Sequence, residues 1–243
     1  MSGRPIAVAA AAASYLALLL WADRFAGASG QLALGALTWV ALILACRPLR
    51  GSRRAQVAIV VLAATCGEVT GSLILGVYTY RLENLPSFVP PAHGLVYVAG
   101  LALARAAAAR PQLLVRAALA GVLAWGIAGV TVLPRTDAGG FAGAMLLAVF
   151  LVRGRAPAVY AGVFLVVGAL ELYGTALGTW TWHETIPGTG VPNGNPPSGV
   201  ASGYVFFDVV ALALAPWMLR AAQRLKRQRN VRSVPARAAP AEA

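Results

Sequence analysis

Two short stretches of this sequence set acidic, small and aromatic residues at matching intervals. The first reads Glu68-Val-Thr-Gly71, then Gly76-Val-Tyr78-Thr-Tyr80-Arg81-Leu-Glu83-Asn-Leu-Pro86, then Pro90-Pro91. The second reads Glu171-Leu-Tyr-Gly174, then Gly178-Thr-Trp180-Thr-Trp182-His183-Glu184-Thr-Ile-Pro187, then Pro196-Pro197. Each Glu stands inside an apolar run, where a carboxylate is costly and by default marks a functional site. A third acid, Asp208, stands inside the last apolar run; aligning the Pro-Pro pairs puts Ala102 opposite it, so the acids form an asymmetric set. With no Lys or Arg at that depth to pair them, the three carboxyls are expected to carry protons. Proton-bearing carboxyls in an apolar pocket are Brønsted acids suited to an apolar substrate.

Glu68, Glu171 and Asp208 are therefore the candidate catalytic residues. The competing reading is that the two Glu only hydrogen-bond a neighbouring helix and hold the repeats together. Tyr78, Tyr80, Trp180 and Trp182 alternate around Thr at the ends of their runs. They fit an interfacial aromatic belt, or an aromatic mouth that holds a polyene and stabilises a carbocation by cation–π contact. With Tyr204 and His93 they are the candidate substrate-binding residues. The segments 81–91 and 183–199 are expected to fold over the pocket as caps, the second through the turn formers Asn193-Gly-Asn195-Pro-Pro-Ser198-Gly199. Two histidines, His93 and His183, are too few and wrongly spaced for haem or zinc, and no cofactor or metal is expected. Cys46 and Cys66 read as small hydrophobes. No nucleotide-binding or serine-hydrolase motif occurs.

The pattern E-x-x-G-x-x-x-G-x-aromatic-x-aromatic followed by a Pro-containing segment resembles the membrane carotenoid-biosynthesis proteins that include the bisanhydrobacterioruberin hydratases. The resemblance covers Glu68 to Pro91 and Glu171 to Tyr204. The first copy has one extra residue between Gly71 and Gly76. The resemblance implies addition of water across a terminal isoprenoid double bond. A looser similarity to small membrane-bound terpene cyclases implies the same opening step, proton delivery from a buried carboxyl to an isoprenoid C=C.

The elements that must position these residues are helices in a membrane. Of the 243 residues, 59 % are hydrophobic and 12 % charged, and mean hydropathy is +0.71. Soluble domains carry about 25 % charged residues, so a water-soluble, disordered or disulfide-knit chain is excluded. Eight apolar stretches run over 5–22, 30–46, 55–78, 92–109, 113–133, 139–152, 157–180 and 200–219. The first also resembles a secretory signal, against which its long apolar run counts. The Glu-to-span-end spacing places each Glu about 15 Å deep, and Gly71, Gly174 and Gly178 on the same face are expected to admit a neighbouring helix. Gly199 and Gly203 are expected to do so for the last span.

The net charge of +12 points to the positive-inside rule, not to nucleic acid. With the N-terminus inside, seventeen of the twenty basic residues fall on cytoplasmic segments and Arg24, Arg81 and Arg135 fall outside. The expected fold is all-α: a polytopic integral membrane protein of about eight transmembrane helices built as two parallel four-helix repeats. The first repeat is 1–110 and the second 111–219. Residues 220–243 are expected to be a basic, disordered cytoplasmic tail drawn to anionic lipid. The expected function is an enzyme of the bacterial inner membrane that protonates an isoprenoid double bond, in hydration or cyclisation. A transporter or lipid-handling protein is the alternative, and a structural scaffold with a recruiting tail is a third class.

Overall fold

The computed structural model describes residues 3–232 and is all-helical apart from two short strands. α1 (Gly3–Asp23), α2 (Ala28–Cys46) and α3 (Gly51–Glu68) follow one another through short turns, and α3 runs on into a π-helix, Val69–Ile74. After β1 (Tyr78–Tyr80) come α4 (Val89–Ala106), α5 (Pro111–Thr131), α6 (Ala138–Arg153) and α7 (Pro157–Leu177). β2 (Trp180–Trp182) then precedes α8 (Ala201–Arg232). Among the described residues six helices are long and apolar enough to cross a membrane: α1, α2, α3 with its π-helix, α5, α7, and α8 as far as Leu225. α6 is apolar but shorter, and α4 is not among the six. Leu37, Trp39, Ile43, Leu62 and Trp217 stand exposed on the outside of the bundle. A surface of this kind needs hydrocarbon, not water, around it.

α7 is the central helix. In its apolar window 56 % of residues are buried, against 22–28 % in the other five. It packs on α4, α5, α8, α6 and α1. Against α4 it comes within backbone contact because glycine faces glycine: a Cβ on Gly162 would lie 2.5 Å from the carbonyl oxygen of Gly100. α3 packs closely on α8, where a Cβ on Gly67 would lie 2.5 Å from the tip of the Phe207 ring. Small residues that let helices approach this closely are the usual device of membrane bundles. Gly199, just ahead of α8, rests on the backbone of Gly140, Gly143 and Ala144 in α6.

Four features depart from the sequence reading. The expected spans 55–78 and 157–180 stop sooner, at Ile74 and Leu177, because Gly76 (φ +63°) and Gly178 (φ +71°) take left-handed conformations. Glycine adopts these without the Cβ clash other residues meet. The chain turns there, and the aromatic-Thr-aromatic alternation becomes a strand. The glutamates are consequently shallower than expected, with Glu171 six residues from the end of α7, about 9 Å. Next, the extra residue in the first motif copy is taken up by the π-helix, in which Leu75 N–H bonds Thr70 O at 2.8 Å, five residues back. The motif glycines also serve a different purpose. Gly71 lies under the Tyr78 ring, 3.2 Å from where its Cβ would be, and Gly174 lies under the Trp180 ring. They seat aromatic side chains, not neighbouring helices.

The fourth departure is at the C-terminal end, where the expected tail from residue 220 is helical as far as Arg232. The run Arg220-Ala-Ala-Gln-Arg-Leu-Lys-Arg-Gln-Arg is rich in helix formers and free of Gly and Pro. Residues 233–243 of the expected tail lie outside the described residues.

The α4–α7 contact generates a stability test. Gly162→Val drives a side chain into the Gly100 carbonyl, and overpacking of this kind costs about 1–3 kcal/mol. The expected result is a lower unfolding temperature of detergent-extracted protein, followed by size-exclusion fluorescence; Gly203→Ala, where a Cβ meets nothing within 4 Å, is expected to leave it unchanged.

Candidate functional site

β1 and β2 pair antiparallel, with Tyr78 opposite Trp182, Thr79 opposite Thr181 and Tyr80 opposite Trp180. His183 N–H to Val77 O (3.0 Å) and Arg81 N–H to Thr179 O (2.9 Å) extend the pairing at its two ends. Because strand side chains alternate, all four aromatic rings lie on one face. That face lies against the ends of α3 and α7, where the two glutamates are. Both phenols donate to the same oxygen of Glu68: Tyr78 Oη and Tyr80 Oη are each 2.7 Å from its Oε2. Both indoles donate to the same oxygen of Glu171: Trp180 Nε1 at 2.9 Å and Trp182 Nε1 at 3.2 Å from its Oε2. The two motif copies thus solve one problem with different donors.

The glutamates are nearly inaccessible, Glu68 at 7 % exposure and Glu171 at 4 %. A buried carboxyl is tolerated when its oxygens have donors. Burial, followed by the charge of Glu68, pushes the Tyr78 and Tyr80 hydroxyls above the ordinary phenol range, so both keep the protons they donate. Tyr78 and Trp182 lie 4.5 Å apart between ring centroids, which locks the strand pair over the acids.

His93, on the second turn of α4, completes the Glu68 environment. Its Nδ1 donates to Val89 O at 3.0 Å. Its Nε2 lies 3.2 Å from Glu68 Oε1, at ion-pair distance though out of line for a straight hydrogen bond. With Nδ1 protonated, a neutral ring would present a lone pair at Nε2 to a carboxylate oxygen, two acceptors face to face. One proton shared between them removes the conflict, whether as Glu–H and His or as Glu⁻ and His⁺. Tyr204 stacks on the ring at 4.8 Å between centroids and 18° between planes.

All of this faces one cavity of about 240 Å³, bounded by α1, α3, α4, α7, α8 and the strand pair. Its apolar wall includes Leu16, Leu20, Phe88, Val96 and Phe207. Among the described residues Glu171 Oε1 takes no hydrogen bond, and Glu171 lines the cavity. Of the residues singled out in the sequence, Glu68, Glu171, Tyr78, Tyr80, Trp180, Trp182, Tyr204 and His93 all line this space. Asp208 does not. It stands one turn further along α8 than Tyr204, 1 % exposed, with its Oδ2 unpartnered. The i, i+4 step places it in the next layer of the bundle, toward Tyr97 and Tyr160. His93 also departs from expectation, since it stands 3.2 Å from Glu68 as a proton-sharing partner where no Lys or Arg does.

Two further acids hold the site together and were not singled out in the sequence. Asp23, at the end of α1 and fully buried, meets Arg81 at 3.4 Å and Gln31 at 2.8 Å. Gln31 Oε1 in turn accepts from Asn84 at 2.8 Å, and Ser87 donates to Gln31 O at 2.7 Å, so the segment after β1 is tied down onto α1 and α2. Asp137 caps α6 and accepts three backbone N–H groups: Gly140 (3.0 Å), Gly194 (2.6 Å) and Ser198 (2.7 Å). It ties the segment after β2 to α6. The only sequence signal for Asp137 was its place as a helix N-cap ahead of Ala-Gly-Gly. Among the described residues no cluster of three His, Cys, Asp or Glu side chains is arranged to hold a metal ion. The chain matches no family model, no curated protein and no solved structure.

Asp137→Ala leaves three buried backbone donors unpaired at about 1–3 kcal/mol each. Hydrogen exchange is expected to speed up across 193–199 while the helical core stays protected. Unchanged exchange there would mean the cap is held by something else.

Proposed function

We propose that the protein is a membrane-embedded enzyme that protonates an isoprenoid double bond, carrying it on to hydration or cyclisation. The observation that carries the reading is that two carboxyl groups, each held by two aromatic donors on one oxygen, share an otherwise apolar cavity. Its walls suit a hydrocarbon, and no Lys or Arg lines them to meet a phosphate. The resemblance of the motif copies to carotenoid hydratases and, more loosely, to membrane terpene cyclases agrees with this reading.

The proton comes from the Glu68–His93 pair. It adds to one alkene carbon as the π electrons form the new C–H bond, and positive charge develops on the more substituted carbon. The faces of Tyr78, Trp182 and Tyr204 stabilise that charge by cation–π attraction. In hydration a water oxygen forms the C–O bond and Glu171 Oε1 takes the proton that water releases. In cyclisation a second double bond attacks the cation, and Glu171 takes the proton lost at the end. Glu171 is assigned as base because its Oε1 is left without a hydrogen bond on the cavity, whereas Glu68 Oε1 faces His93. Asp208, which does not line the cavity, has no direct role in this scheme. The competing reading is transport, in which the same acids carry a proton with a lipid-like cargo.

The same reading includes a multi-pass arrangement in a bacterial inner membrane with both termini cytoplasmic, supported by the basic residues gathered between α2 and α3, α4 and α5, α6 and α7, and beyond Leu219. It also takes the helices as two parallel repeats. Support for this comes from the strand pairing centred on Thr79 and Thr181, and from the matching contacts of α3 with α8 and α7 with α4.

The reading is tested by conversion of isoprenoid substrates in membranes beside the yield of extracted protein. Glu171→Gln and Glu68→Gln are each expected to lower conversion by about 10²–10⁴-fold at normal yield, and Asp208→Asn by far less. If the acids merely joined helices, the changes would be mild, since such contacts average about 0.6 kcal/mol; full conversion by both Gln variants would refute the catalytic assignment. For topology, in a background lacking Cys46 and Cys66, an impermeant maleimide is expected to label Thr189→Cys and not Ala109→Cys in intact cells. The reverse pattern would invert the orientation.

A further inference from the structure

The cavity is too short for the longer substrates that its chemistry suits. The residues that line it reach furthest along the start of α4, from Phe88 to Val96, eight residues or about 12 Å. That is the length of about two isoprene units in an extended chain. A long isoprenoid must therefore leave most of its length outside, and the cavity must have an opening through which the chain passes.

Among the residues lining the cavity, Gly203 alone is exposed. It lies in the first turn of α8, and a Cβ placed on it would meet nothing within 4 Å. The neighbouring contact between α3 and α8 is tight, with the Phe207 ring over Gly67. One turn from that contact on each element stand Gly71, in the π-helix, and Gly203, and both line the cavity. The Tyr78 ring rests on Gly71, while nothing lies within 4 Å of where a Gly203 side chain would be. Beside them Ile74 and Phe206 are 69 % and 53 % exposed, an apolar flank on the outside of the bundle.

The opposite side of the cavity is closed. α1 packs on α4 and α7 and sends Leu16, Leu19 and Leu20 into the wall. α5, which holds the place of α1 in the second set of four helices, packs instead on α6 and α7. The α3–α8 side therefore lacks the covering that α1 gives to the α4–α7 side.

We infer that the opening at Gly203 is a lateral portal, through which the terminal one or two isoprene units of a long apolar chain enter from the lipid while the remainder stays in the bilayer along Ile74 and Phe206. The inference rests on the isoprenoid reading above and adds end-on, chain-length-dependent recognition to it. Gly203 is then a specificity-determining residue: its missing side chain admits a chain that continues beyond the cavity.

Binding tests this without turnover. The probes are ten-carbon geraniol and forty-carbon lycopene, added to nanodisc-embedded protein and followed through the fluorescence of Trp180 and Trp182. Wild type is expected to respond to both. Gly203→Leu places an isobutyl group in the opening, and its response to lycopene should require at least about tenfold more ligand, while geraniol binding shifts much less. Leu is a better helix former than Gly, so a normal unfolding temperature is expected to accompany the change. Equal weakening for both probes, or none for lycopene, overturns the portal and leaves the isoprenoid reading standing. A wild-type protein that responds to neither probe overturns both. Val96→Leu, a buried position lining the cavity from α4, should not discriminate between the probes; if it does so as strongly as Gly203→Leu, chain length is read by cavity volume and the portal is refuted.

Discussion

Two carboxyl groups buried among hydrocarbon side chains need hydrogen-bond donors that do not come from water. Here they come from a strand pair of three residues each. Tyr-Thr-Tyr and Trp-Thr-Trp meet antiparallel, and their period of two aims four aromatic donors at two acids. Much of the bundle serves this contact. Gly76 and Gly178 break their helices so that strands can form, Gly71 and Gly174 make room for the rings, and the π-helix absorbs the residue by which the two copies differ in length. Asp23 and Asp137 anchor the segments that leave the strands.

The strand pairing brings the two acids together, and the differences between the two motif copies give them different surroundings. Phenols and an imidazole surround Glu68, while indoles surround Glu171. An indole can only donate, whereas a phenol can also accept and an imidazole can pass a proton from one nitrogen to the other. In the proposed reaction this difference is what separates the acid side of the cavity from the base side.

Much of this was legible in the sequence. The helices fall close to the apolar stretches, because a chain surrounded by hydrocarbon writes its helices as uninterrupted hydropathy. The site residues stood out because acids are rare in such runs and the motif occurs twice. The strands were hidden by that same apolar continuity. The aromatic-Thr-aromatic pattern reads equally as a helix end with interfacial rings, and a period-two signal over three residues is too short to separate the two. His93 was visible as a polar residue but not as the partner of Glu68, since that depends on how α4 packs against α3. Asp208 was the opposite case: conspicuous by type and depth, yet one helical turn beyond the cavity wall. Asp23 and Asp137 were unremarked because an acid at a helix end looks like ordinary loop polarity until its burial is known.

The central claim is that this cavity delivers a proton to carbon. Its most direct measurement is deuterium transfer. Membrane-embedded protein is incubated in deuterium oxide with a panel of linear isoprenoids, and the recovered lipids are examined by mass spectrometry for non-exchangeable carbon-bound deuterium. The account predicts incorporation at one of the two carbons of a former double bond, dependent on both Glu68 and Glu171. Unlabelled isoprenoids across the panel, from protein shown to bind them, would contradict it.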